Sequence, residues 1–172
     1  MRNLLWVLTI MLLYVGCTSK EQKALMQTYE KEKVYHKKLQ KTEKVQLYEG
    51  AFTKAMLTAT YLNGQSIEKN DKHDEQFIVG VYIEESDMPS IDGEGYTLLL
   101  NGHPPKSIKA LKEGDALLKD ISFVSQWSKF YLVTFPHISS KSFKLVFNSD
   151  LYGKGELHFA KVAKYVLNKK PY

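Results

Sequence analysis

Apolar residues recur at every second position through most of this chain, in short runs separated by turn residues, so the elements they predict are mainly strands. Phe77, Val79, Val81 and Ile83 form the cleanest period of two, with Ile78, Gly80 and Tyr82 opposite, and this segment is expected to be a central strand. Phe130, Leu132 and Thr134 alternate with Tyr131, Val133 and Phe135 until Pro136 ends the run. Phe143, Leu145 and Phe147 mark one further strand, Leu157 and Phe159 the last, with residues 148–155 expected as the loop between them. Tyr96–Leu100 is apolar apart from Thr97 and runs into the turn dipeptide Asn101-Gly102. Pro104 and Pro105 then exclude regular pairing, which predicts a crossing to a second sheet. Ser107–Leu111 reads as a short edge strand, and Asp115 as the cap of a helical turn carrying Leu117, Leu118 and Ile121. Residues 44–48 and 54–62 also alternate, although Val45, Tyr48, Phe52, Met56 and Ala59 fit a helix too; the β-formers from Thr58 to Tyr61 favour strands.

Seven or eight strands of this kind after residue 42 predict a two-sheet antiparallel β-sandwich, Ig-like in outline. No internal repeat is evident, and the polar tail ending in Pro171-Tyr172 is expected to fray. Ahead of the strands, Leu25, Tyr29, Glu32, His36 and Leu39 recur at spacings of three and four. Two of those five are polar, so residues 20–40 are expected to form a marginal helix, stabilised by packing of Tyr29, Tyr35 and Leu39.

The first residues have a different texture. Arg2 is followed by an apolar run from Leu4 to Val15, shorter than the roughly 20 residues a spanning helix needs but within the about 7 to 15 of a secretory signal. Gly16 and Cys17 come next, then the polar residues Thr18, Ser19, Lys20 and Glu21. Leu13-Tyr14-Val15-Gly16-Cys17 resembles the lipobox of bacterial lipoproteins, with Tyr14 where a leucine-like residue is more usual. The resemblance implies cleavage before Cys17 and a diacylglycerol on its sulfur, usually with an amide-linked acyl chain such as palmitate. Several chains together hold a protein firmly on a membrane without a spanning helix. Thr18, rather than aspartate, after the cysteine implies the outer membrane of a two-membrane cell. The expected organisation is a signal peptide at 1–16, a lipid-anchored tether at 17–41 and a β-sandwich at 42–172.

The net charge of +5 is partly local, because lysines outnumber glutamates between residues 20 and 44. Such a stretch suits anionic headgroups, though a solvated tether or helix face is the simpler explanation. Cys17 is the sole cysteine, so no disulfide can form within the chain. There is no Gly-x-Ser-x-Gly elbow, no His-Glu-x-x-His pair and no phosphate loop, and Gly93-x-Gly95 reads as a turn. The histidines at 36, 73, 103, 137 and 158 follow no ligand spacing; His158 should face away from the core, and His103 and His137 sit beside prolines in loops. Acidic residues gather at Glu68, Asp71, Asp74 and Glu75, and again at Glu84, Glu85, Asp87, Asp92 and Glu94. These are expected as solvated loops, with calcium binding as the alternative. Trp127, Phe130 and Tyr131 read either as an exposed ligand platform or, more simply, as core, with Trp127 closing the end of the sandwich.

Residues 127–136 and 151–159 also resemble a family of small, uncharacterised bacterial envelope lipoproteins, a resemblance that implies no activity. The expectation is therefore an envelope lipoprotein with a non-enzymatic binding or assembly role. Its partners would be a membrane, through the lipid on Cys17, and an envelope protein, with no nucleic acid and no cofactor. Sheet edges and the loops after Ile83 and Phe147 are the expected contact surfaces, with Asp87, Asp92, Glu94, Asp150 and Tyr152 as contact residues. The alternative is a small-ligand or cation receptor, or an enzyme, with a site built from distant residues such as His103 and His137.

Overall fold

In a computed structural model, which describes residues 20–63, 72–84, 90, 91, 93 and 95–161, the alternating segments form two antiparallel sheets. The strands are β1 (Thr42–Glu49), β2 (Phe52–Tyr61), β3 (Glu75–Ile83), β4 (Tyr96–Leu100), β5 (Ser107–Leu111), β6 (Lys129–Phe135), β7 (Ser142–Ser149) and β8 (Gly153–Ala160). One sheet has the order β1-β2-β3-β6-β5 and the other β4-β7-β8. Without β1, these are the strand orders of an immunoglobulin constant-type sandwich. The fold is thus the mainly β sandwich that the alternation predicts, and β3 is indeed central in its sheet.

The period of two works as expected because one face of each sheet is buried against the other. Ala55, Leu57, Ala59, Phe77, Val79, Val81, Val133 and Phe135 face Leu98, Leu100, Phe143, Leu145, Phe147, Leu157 and Phe159 in a single buried cluster. Toward one end the filling is aromatic: the Tyr61 ring lies 5.0 Å from Phe143, and Phe77 lies 5.2 Å from Phe159. At the β1 edge the two sheets approach so closely that a methyl group on Gly155 would overlap Val45.

The crossing predicted at Pro104-Pro105 is real, since β4 and β5 belong to different sheets. Asn101 and Gly102, at φ 47° and 86°, make the turn ahead of it, closed by reciprocal hydrogen bonds of 2.9 Å between Leu100 and His103. The loop expected at residues 148–155 is corrected to a connection between Ser149 and Gly153. Turn-forming Asn148, Gly153 and Gly155 are drawn into the ladder because their partners, Lys154, Ser149 and Phe147, lie directly across the hairpin. Asp115 accepts from the Leu117 amide at 2.9 Å, as a cap should, but the element it starts is one 3-10 turn, Ala116–Leu118.

Helix α1 (Lys20–Leu39) precedes β1, and the chain divides into two compact units after Val34. Within the second unit Leu39 is half-buried while Tyr35 is 41 % exposed, so of these two expected docking residues only Leu39 is covered. Among the described residues no helix is long and apolar enough to cross a membrane.

Register places the odd-numbered strand starts and the even-numbered strand ends at one end of the sandwich, where the chain arrives from α1 at Thr42. The connections β3–β4, β5–β6 and β7–β8 lie at the opposite, distal end.

Candidate functional site

The outer face of the larger sheet is apolar in its middle, where Ile78, Phe130 and Leu132 project away from the main core. The long β5–β6 connection covers it, with Ile121 and Leu118 packing onto Ile78 and Phe130. Gly80 makes room for this arrangement. A Cβ there would lie 2.6 Å from Phe130 Cε1 and 2.8 Å from Thr58 Oγ1, so the Phe130 ring lies across a bare stretch of backbone. The connection is also tied at its flank: Lys38 Nζ donates to the Lys119 carbonyl at 2.8 Å.

Holding the loop down in this way imposes strain. Asp120 and Phe123 both adopt left-handed backbone, at φ 62° and 65°, without being glycine. Between them the hydroxyl of Ser122 is buried and has no hydrogen-bond partner among the described residues. Beyond them, Phe123, Val124 and Trp127 are turned outward at 58 %, 49 % and 71 % exposure. The expectation that Trp127 closes the core is therefore corrected. Ile121 and Phe130 fill the space over the sheet, and the indole is left outside.

Two shallow grooves flank Ser125. One, of about 410 Å³, is lined by Met56, Tyr82, Ser125 and Trp127. Met56 and Tyr82 are register partners on β2 and β3, and Gln46, opposite Met56 on β1, accepts from the Tyr48 hydroxyl at 3.0 Å. The second groove, of about 390 Å³, is more polar and includes Glu113, Asp115, Lys119, Gln126 and Lys129. Of these three aromatics Trp127 alone is exposed; Phe130 is buried, and half-buried Tyr131 packs on the inner core.

No family model matches the chain, and no curated protein or solved structure matches it either. What the site can do therefore follows from its own geometry.

A second constellation lies at the end where α1 joins. Glu75, expected in a solvated loop, is 1 % exposed as the first residue of β3, a further correction. Its carboxylate accepts from the Tyr61 hydroxyl at 2.6 Å, from the Ile138 amide at 3.0 Å and from Lys161 Nζ at 2.6 Å. His137 Nδ1 lies 3.6 Å from the same carboxylate and 3.1 Å from the His73 carbonyl, so His137 is held in place and is not a free loop histidine. Lys41 Nζ sits 5.6 Å over the Tyr61 ring, and burial, reinforced by nearby Lys37, lowers its pKa below 10.5. Three donors take most of the acceptor capacity of the two carboxylate oxygens, so buried Glu75 offers little to a ligand.

Of the expected contact residues, Cys17, Asp87, Asp92 and Glu94 lie outside the described residues, as do Glu68, Asp71 and Glu85. Asp150 is exposed, and its amide donates to the Gly95 carbonyl at 2.9 Å, which joins the connections after β3 and β7 at the distal end. Tyr152 packs partly against the core. Asp74 pairs with Lys106 at 2.6 Å and Glu84 with Lys54 at 2.7 Å, where the hydrogen bond to Glu84 raises the Lys54 pKa. His103 and His158 are exposed. Among the described residues no three His, Cys, Asp or Glu side chains are grouped to hold a metal ion.

Proposed function

We propose that this chain is a bacterial envelope lipoprotein, acylated at Cys17, whose sandwich binds another envelope protein and catalyses no reaction. The observation that carries the binding half is Trp127, 71 % exposed beside Met56 and Tyr82 on the outer face of the larger sheet. Tryptophan and tyrosine concentrate binding energy at interfaces because they bury large area with few rotors, and a strained loop is a common way of presenting them. The position of Trp127, two residues before β6 starts at the distal end, supports the same reading, since a partner can reach it away from the entry of the chain at Thr42. The leader ending in Gly16-Cys17 supports the anchor and, with Thr18, an outer-membrane address.

The test is a photoactivatable residue at Tyr82, in whole cells, compared with the same residue at His158 on the other sheet. A discrete adduct with one envelope protein from position 82, lost on Trp127→Ala, is the expected result. Equal, diffuse labelling from both positions would remove the proposal. Replacement Cys17→Ala should release the protein from the membrane fraction.

The polar groove beside Ser125 favours a second reading, a small-ligand receptor, because acidic and basic groups converge there. Under that reading Asp115→Ala, and not Trp127→Ala, abolishes function.

A further inference from the structure

At the end of the sandwich where α1 joins β1, lysines outnumber the carboxylates available to neutralise them. The described lysines there are Lys37, Lys38, Lys41, Lys72, Lys106, Lys141 and Lys161; the carboxylates on and beside the strands are Glu43, Asp74 and Glu75. Asp74 is engaged by Lys106 and Glu75 by Lys161, each at 2.6 Å, which leaves exposed Glu43 as the one strand carboxylate there to offset the remaining lysines among the described residues. Lys37, Lys72 and Lys141 are exposed and form no ion pair among the described residues. Lys37 stands four positions before Lys41, and after burial it is the second influence that lowers the Lys41 pKa.

We infer that this end of the β domain is a second membrane contact, in which Lys37, Lys72 and Lys141 rest on anionic phospholipid headgroups and hold the Trp127 face away from the bilayer. The inference rests on the lipoprotein reading, because a lipid on Cys17 is what keeps this end within reach of a surface. Charge complementarity selects the occupant. The patch is formed by exposed ammonium groups on three separate segments of chain, and so suits a diffuse anionic plane. A short Debye length then makes the contact salt-sensitive while the acyl chains are not. A tethered domain that would otherwise tumble is thereby given one preferred orientation.

The experiment uses the mature lipidated protein on vesicles of phosphatidylcholine alone or mixed with phosphatidylglycerol. Lysines are acetylated with a membrane-impermeant reagent and mapped by mass spectrometry, with Lys112, Lys129 and Lys154 as distal references. Slower labelling of Lys37, Lys72 and Lys141 by about fivefold on the anionic vesicles, reversed by high salt, is expected. The double variant Lys72→Glu with Lys141→Glu, both exposed, should also restore the labelling rate of Lys37. Equal labelling ratios on the two vesicle types overturn the inference while leaving the anchor intact. Failure of the protein to float with either vesicle overturns the anchor reading and this inference together.

Discussion

Lys161, just past the end of β8 in one sheet, donates through Nζ to Oε1 of Glu75, the first residue of β3 in the other, at 2.6 Å. The carboxylate is 1 % exposed and the lysine side chain 19 %, so the contact closes one end of the sandwich like a polar plug. Tyr61 and the Ile138 amide complete the plug, which draws on four separate segments of chain.

Lys161→Met should therefore destabilise the domain by about 3 kcal/mol, because it leaves a carboxylate buried without its counter-charge. Glu75→Gln combined with Lys161→Met should recover a large part of that loss, since neither charge then remains. Urea unfolding of the two variants checks this. A loss below about 1 kcal/mol for the single variant would reduce the contact to an ordinary surface pair.

Gly80→Ala should cost about 1–3 kcal/mol, because the added methyl meets the Phe130 ring and the Thr58 hydroxyl at once. The ring supports the β5–β6 connection, so the cost should appear locally as well as globally. Limited proteolysis is expected to cut between residues 112 and 128 in the variant well before it cuts the wild type.

Trp127→Ala should change stability by no more than about 0.5 kcal/mol, as expected for an exposed side chain outside the packed core. Trp6 lies in the proposed leader, so Trp127 is the single indole of the proposed mature protein. Its fluorescence should be red-shifted and readily quenched by acrylamide in the free protein. A blue emission shielded from the quencher would place the ring in the interior and defeat the proposed contact surface.

Glu156 gives the acid limb of stability a local contribution. Its hydrogen bond to Lys144, at 3.0 Å, holds its pKa below the ordinary 4.5. A depressed carboxylate stabilises the fold above its unfolded pKa and loses that effect as pH falls through the folded one. The stability difference between wild type and Glu156→Gln should thus be constant above about pH 5 and shrink below pH 4.5. Thermal melts across that range decide the matter; a gap that widens in acid would show that the sign is wrong.

The strands were legible in the sequence because burying one face of a sheet imposes a period of two that no other constraint on the chain imitates. Phe77 to Ile83 and Lys129–Phe135 carry that signature, and Asn101-Gly102 announces its turn through the φ angles it tolerates. Residues 148–155 misled for the complementary reason. Asn148, Gly153 and Gly155 favour turns in isolation, but ladder hydrogen bonds to residues a few positions away outweigh a local preference.

By itself, then, the amino-acid sequence determined the alternation that makes two sheets, the place where the chain crosses between them, and the apolar run that precedes Gly16-Cys17. These depend on neighbours in the chain. Only the tertiary structure decided that Glu75 is buried while Trp127 is exposed, the reverse of what their side chains alone suggest. Burial of either depends on which distant segment reaches the site first: Lys161, Tyr61 and Ile138 arrive to satisfy the charge, and Ile121 with Phe130 occupies the surface an indole would have filled.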